Sequence, residues 1–312
     1  MKKPVLVILG LLVLAFISIY FIIPQNIKTT HVIEIDATDT QVSKFLVNKK
    51  LWAKWWPGQV KPKDSSLYTF KDASYTLLQS TNSEMKAIIK KDNIEQSSQV
   101  FYGTTGEGMC EVSWLNEMQS SINPFTRITA YIKIKKQAKD IDTLLARFKK
   151  FMQTDTNIYG INVKLARVKY GVVLASTKQV RAFPTPKAVY VVANALKKEI
   201  AAQNALTLDS PMLNVHALED GGYQVMVALP VNKIIKPGAQ SAINKLVKGA
   251  NILETQVTGG PNTILNAFAQ LKNYQKAHHL ISPAMPYEVL ITNRVAQPDT
   301  SKWVTQIYWP IF

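Results

Sequence analysis

Residues 282–294 read SPAMPYEVLITNR, and inside that apolar run with strand character sits a single carboxylate, Glu288. Residues 210–218 read SPMLNVHAL, so that with the two Ser-Pro pairs aligned His216 stands where Glu288 stands. The likeness extends outward. Asn194 and Asn266, Leu196 and Phe268, Ser210 and Ser282, Pro211 and Pro283, and Leu218 and Leu290 are each 72 residues apart. Each copy follows one order. An extended stretch comes first (163–180, then 251–260), and a helical stretch opening on proline follows (184–206, then 261–280). Two strands then flank a turn, Glu219-Asp220-Gly221-Gly222 in the first copy and QPDTS (297–301) in the second. The spacing predicts two β-α-β-β units in pseudo-twofold arrangement over residues 155–312. Each helix covers one face of its own half-sheet, and a groove lies between the halves, a usual place for a small molecule.

Glu288 alternates with Leu290, so it shares a face with an apolar residue. A buried carboxylate has to be paired, protonated or open to a ligand cavity. On the residues alone, an ion pair and a binding site are equal readings. Tyr190, Tyr287, Trp303, Tyr308 and Trp309 are candidate groove walls. Tyr308 and Trp309 are adjacent on one strand and face opposite sides, so only one of them can line the groove. Several aromatics with one acid suit an amphipathic cation, held by cation–π contact. His278 and His279 point apart by roughly 100° on a helix and make poor joint metal ligands. No metal site and no cofactor is expected.

Upstream, HVIEIDA (31–37) alternates as a strand, and Thr38 with Gln41 makes a capping-box pair ahead of Val42, Phe45 and Leu46. Trp52, Trp55 and Trp56 follow in a helical turn ended by Pro57 and Gly58. Strand-like runs come next: SLYTF, SYTLLQS, MKAIIKK, QSSQVFYG, CEVSWLNEM and RITAYIKIK. Ile141, Leu144, Leu145, Phe148 and Met152 form a helical stripe that closes a domain over residues 30–153. Gly103, Gly106 and Gly108 lie between two strands with no helix after them, which is a hairpin and not a phosphate loop.

The chain has 312 residues, 47% apolar and 19% charged, enough for about two packed domains. The formal charge of +16 is spread over both halves, and no block resembles a basic nucleic-acid arm. The lone Cys110 excludes an internal disulfide framework and a cysteine metal site. Residues 4–23 carry no charge and match the roughly 20 residues a membrane-crossing helix needs. The expectation is a single-pass anchor over residues 1–27, with Lys2 and Lys3 on the cytoplasmic side and the folded domains on the other.

Two resemblances sharpen this α+β reading. IEIDATDTQVSKFL with WAKWWP (33–46 and 52–57), VSWLNEM (112–118) and NPFTRI (123–128) resemble the START-like (SRPBCC, polyketide-cyclase-type) domain. That implies a curved sheet gripping the C-terminal helix around an apolar cavity, its mouth lined by the three tryptophans or its corner sealed by them. Gly259-Gly260, Pro286-Tyr287-Glu288 and the ending 302–311 resemble the GyrI-like, effector-type small-molecule-binding domain. The resemblance implies a glutamate at Glu288 on the floor of an aromatic-lined cleft. Together with His216, placed by the repeat, and the groove aromatics read from the residues, the candidate ligand contacts are Glu288, His216, Tyr190, Tyr308, Trp309 and Trp303. No helix-turn-helix segment accompanies it, so nucleic acid is not an expected partner. The expected function is a membrane-anchored binder of an amphipathic or cationic small molecule. The alternatives are a hydrolase, with Glu288 as general base and Tyr308 or Tyr190 as proton donor, and a lipid-handling protein using the START-like cavity.

Overall fold

The structure is a computed structural model that describes residues 2–60, 66–81, 83–92 and 94–312, the side chains of residues 2–6, 9 and 12 excepted. The chain divides into two compact units, Met1–Thr154 and Asp155–Phe312.

In the first unit the elements are α1 (Lys2–Ile22), β1 (Asn26–Ile35), α2 (Asp39–Leu46), β2 (Gln59–Val60), β3 (Leu67–Phe70), β4 (Ala73–Ser80), β5 (Glu84–Lys91), β6 (Ile94–Gly106), β7 (Met109–Gln119) and α3 (Pro124–Met152). Among the described residues the strands form one seven-stranded antiparallel sheet in the order β1-β7-β6-β5-β4-β3-β2. The capping box at Thr38 and Gln41 forms as the sequence requires and starts α2.

RITAYIKIK is not a strand. Asn123 accepts from the amides of Phe125 and Thr126, Pro124 occupies the first helical turn, and α3 runs unbroken for 29 residues. Its buried positions Arg127, Ala130, Ile134, Gln137, Ile141, Leu144 and Phe148 recur every three or four residues. Packing on the sheet selects that period over the two-residue alternation of the isoleucines.

The three tryptophans of the WAKWWP stretch are core. Trp52 is fully buried, and the rings of Trp55, Trp56, Tyr68 and Trp114 all lie within 6.0 Å of it. Trp55 packs on Phe148 of α3 at 4.8 Å. They join the helices to the sheet, which is the corner-sealing alternative. Each indole N–H of Trp52 and Trp56 is matched, to the carbonyls of Leu46 and Thr69.

The expectation of a membrane anchor is overturned. Among the described residues no helix is long and apolar enough to cross a membrane. The later turns of α1 are engaged by α3 and the segment before it. Phe16 meets Phe125 edge-on at 5.5 Å, and the Tyr20 hydroxyl donates to the carbonyl of Ile122 at 2.6 Å. Arg127 lies over the Tyr20 ring at 4.9 Å and donates to the carbonyl of Ile23. The single-pass span, the membrane as partner and the non-cytoplasmic placement go together. The side chains of Lys2 and Lys3, which set the expected orientation, lie outside the described residues.

The second unit comprises α4 (Asp155–Tyr159), β8 (Lys164–Arg167), β9 (Val172–Val180), α5 (Pro186–Ala202), β10 (Met212–Ala217), β11 (Tyr223–Pro230), β12 (Ala242–Lys245), β13 (Asn251–Thr258), α6 (Pro261–Ala277), β14 (Tyr287–Leu290) and β15 (Val304–Pro310). Among the described residues its strands form one antiparallel sheet in the order β12-β9-β11-β10-β14-β15-β13-β8. The order reads the same from both ends, half against half, and β10 meets β14 at the centre. Helix α5 packs on the first half through Val189, Ala193, Leu196 and Ile200, and α6 on the second through Ile264, Ala267 and Leu271.

The repeat has a different register from the one its Ser-Pro pairs suggest. Proline stands first in both helices, at Pro186 and Pro261, which are 75 residues apart and not 72. At that offset the counterpart of Glu288 is Leu213, and these two residues face each other directly across the central strand pair. His216 is three positions further along β10. The second copy starts its helix after Gly259, whose φ of +151° favours glycine and whose added Cβ would meet Thr263 at 2.5 Å.

One expected outcome tests the tryptophan corner. A Cβ on Gly58 would sit 1.7 Å from the carbonyl oxygen of Thr69, the same atom that accepts from Trp56, whereas a Cβ on Gly103 meets nothing within 4 Å. Gly58→Ala should cost about 1–3 kcal/mol, the scale of overpacking, and Gly103→Ala much less. Denaturant melts of both variants check it, and equal stabilities would contradict the packing described.

Candidate ligand-binding cavity in the second unit

Two helices that each cover their own half of one sheet leave space above the strands between them. In the second unit that space is a cavity of about 570 Å³. Its floor comes from β10 and β14, its sides from the first turn of α5 and from α6 as far as Lys272, and Trp303, just before β15, and Trp309, on β15, add to its wall. Most of the lining is apolar or aromatic, with Phe183, Tyr190, Phe268 and Met285 among its residues. Asn214, His216, Lys272, Glu288 and Arg294 are the polar exceptions.

Glu288 is 6% exposed and does not lack a partner. Arg294 Nη2 stands 2.6 Å from its Oε2, and Nη1 reaches Oε1 at 3.5 Å. The same Nη2 donates to the Thr305 hydroxyl at 2.9 Å, and the guanidinium lies over the Trp303 ring at 4.9 Å. The Arg294 Nε is buried with no partner among the described residues. Of the readings open for this carboxylate, the ion pair is the one observed, and its partner is a residue six positions downstream.

The segment from 291 to 303 carries Arg294 back to the strand. Asn293 accepts from the amides of Val295 and Ala296, the Thr292 hydroxyl accepts from the amide of Val304, and the Trp303 indole donates to the carbonyl of Gln297. The Tyr190 hydroxyl, from α5, donates to the carbonyl of Thr292 at 3.2 Å. Burial raises the Tyr190 phenol above its ordinary pKa, so it stays a neutral donor at physiological pH.

Of the residues singled out from sequence, Glu288, His216, Tyr190, Trp303 and Trp309 share the cavity lining. His216 is exposed there. Tyr308 is not among them. It packs on the opposite sheet face, stacked on Tyr287 with ring centroids 5.3 Å apart, in a cluster with Met212 and Val289. Burial raises the phenols of Tyr287 and Tyr308, and Tyr308 in turn raises the ammonium of Lys169 beside it. Alternation along β15 decides the adjacent pair in favour of Trp309. Of the two acid–donor pairs expected for hydrolysis, Glu288 with Tyr308 is split between the two faces of the sheet, whereas Glu288 and Tyr190 line the same cavity; the Glu288 carboxylate is bonded to Arg294.

Sequence reading missed Arg294, Lys272 and Asn214. Arg294 is the last letter of the stretch that raised the question, but it lies past the repeat, where no periodicity marks a side chain. Asn214 had a usable signal, being a polar residue within an apolar strand. It donates to the carbonyl of Pro286 at 2.7 Å and ties β10 to the entry of β14.

Stability measurements test the pair. Removing one member of a buried ion pair costs about 3–5 kcal/mol, because the other is left charged and unpartnered. Arg294→Met and Glu288→Gln should each destabilise, and the double variant should recover much of the loss. A double-mutant cycle reads the coupling directly, and purely additive effects would contradict the pairing.

No protein-family model matches the sequence, and no curated protein matches it. Solved structures do show likenesses. The C-terminal domain of EcmrR is similar over 49% of this chain and 98% of its own, at 14% identity and a TM-score of 0.42. SAV2435 bound to tetraphenylphosphonium is similar over 48% of this chain and 94% of its own, at 12% identity and a TM-score of 0.34. A START superfamily protein from Mycobacterium smegmatis is similar over 37% of this chain and 94% of its own, at 9% identity and a TM-score of 0.25. At these identities and scores none of them bears on what the chain binds.

Proposed function

We propose that the second unit binds an amphipathic small molecule in the cavity between its two halves, in the manner of an effector-binding module. One observation carries the reading: a cavity of about 570 Å³ walled by tryptophan, tyrosine and phenylalanine, with a few polar groups converging on its floor and rim. Ligand sites commonly fall between about 300 and 1,000 Å³ with this mix of lining. Apolar lining residues such as Phe183, Leu265 and Met285 are exposed to solvent, and an apolar ligand seated against them would take that surface out of water. Glu288 and Arg294 fix the floor, and Trp303 is held in place by Arg294 on its face and by its indole hydrogen bond. A wall so held presents a preformed surface, which lowers the ordering cost of binding.

N-phenylnaphthylamine, an uncharged dye whose emission rises in apolar surroundings, tests the reading. The full chain should bind it with a dissociation constant of about 1–100 µM, the range that ligand-efficiency bounds allow for a molecule of this size. Ala269 is exposed on the cavity lining, so Ala269→Phe fills space without disturbing the core. It should weaken dye binding about tenfold, roughly 1.4 kcal/mol, while the melting temperature holds. Unchanged binding in Ala269→Phe would place the dye elsewhere and remove the support for this cavity.

A further inference from the structure

Resting on the ligand-binding reading above, we propose that the cavity is selective for the sign of its ligand's head group: it takes amphipathic anions, with the apolar body against the aromatic wall and a carboxylate or sulfonate at Lys272. The inventory of charges decides the sign. Among the described residues Glu288 supplies the lining's carboxylate, and Arg294 stands 2.6 Å from it. A cationic ligand would have to displace a guanidinium whose side chain is 9% exposed and whose flat face rests on Trp303. Once displaced, Arg294 would itself be a buried charge without a counter-ion, so the exchange gains nothing for the cation.

The charge left uncompensated on the lining belongs to Lys272. It projects from α6 at an exposed position, and among the described residues no carboxylate pairs with it. Lys272 therefore brings to the lining a cation with no acid among the described residues to pair it.

The test uses three probes that share a biphenyl body: biphenylacetate, biphenylmethanol and biphenylmethylammonium, each titrated calorimetrically into the full chain at low salt. The acetate should bind about tenfold or more tighter than the ammonium, the scale of one charge-assisted contact, with the alcohol between them. Lys272→Gln is a change at an exposed position. It should weaken the acetate about fivefold to tenfold and leave the alcohol unaltered. Equal affinities, or a preference for the ammonium, would overturn the inference and leave the ligand-binding reading standing. An undiminished preference for the acetate in Lys272→Gln would overturn the assignment to Lys272. Failure of all three probes to bind would overturn the ligand-binding reading together with the inference.

Discussion

A carboxylate taken out of water must be neutralised where it sits, and the second unit is organised around that requirement. Glu288 lies at the centre of the sheet, paired across the strands with Leu213, so neither solvent nor the neighbouring strand can neutralise it. Arg294 does, and only because the segment from 291 to 303 turns back on itself. Thr292, Asn293 and Gln297 hold that turn, and Trp303 closes it. The Tyr190 hydroxyl then fastens α5, an element of the other half, to the same segment. One buried charge thus couples the central strand, the loop after it, a tryptophan and the facing helix. A buried ion pair adds little net stability over an apolar pair of the same shape, so its place here is better explained by the geometry it imposes.

The cavity follows from the same symmetry that gives the sheet. Each half buries its own helix on its own strands, as two separate clusters. The halves join edge to edge through β10 and β14, and the helices are left on either side of that junction with aromatic side chains between them. The first unit resolves the same packing problem in the opposite way. There the WAKWWP turn and Trp114 pack large rings against one another and against Phe148 of α3.

Much of this is written locally in the sequence, and the parts that are not share a cause. The capping box at Thr38, the strand meander, the two proline-led helices and the mixed α+β class are visible because periodicity and capping act within a few residues. RITAYIKIK was illegible because its alternating isoleucines satisfy a strand locally, while Asn123 and the sheet beneath decide for helix. The repeat was visible but misaligned. Ser210-Pro211 and Ser282-Pro283 match as letters, whereas the helices match at Pro186 and Pro261, which makes Leu213 and not His216 the counterpart of Glu288. The apolar N-terminal run reads as a span by composition alone. Composition does not reveal that Phe16 and Tyr20 have partners a hundred residues away. Arg294 is the same kind of case, since an ion pair closed by a loop leaves no period to read.

The most direct measurement is a crystal structure of the chain with N-phenylnaphthylamine bound. The expected result is dye density between α5 and α6, against Trp303 and Trp309, with Arg294 still in hydrogen-bond contact with Glu288. Dye bound elsewhere, or an Arg294 swung out of the wall to leave Glu288 facing the ligand, would contradict the account.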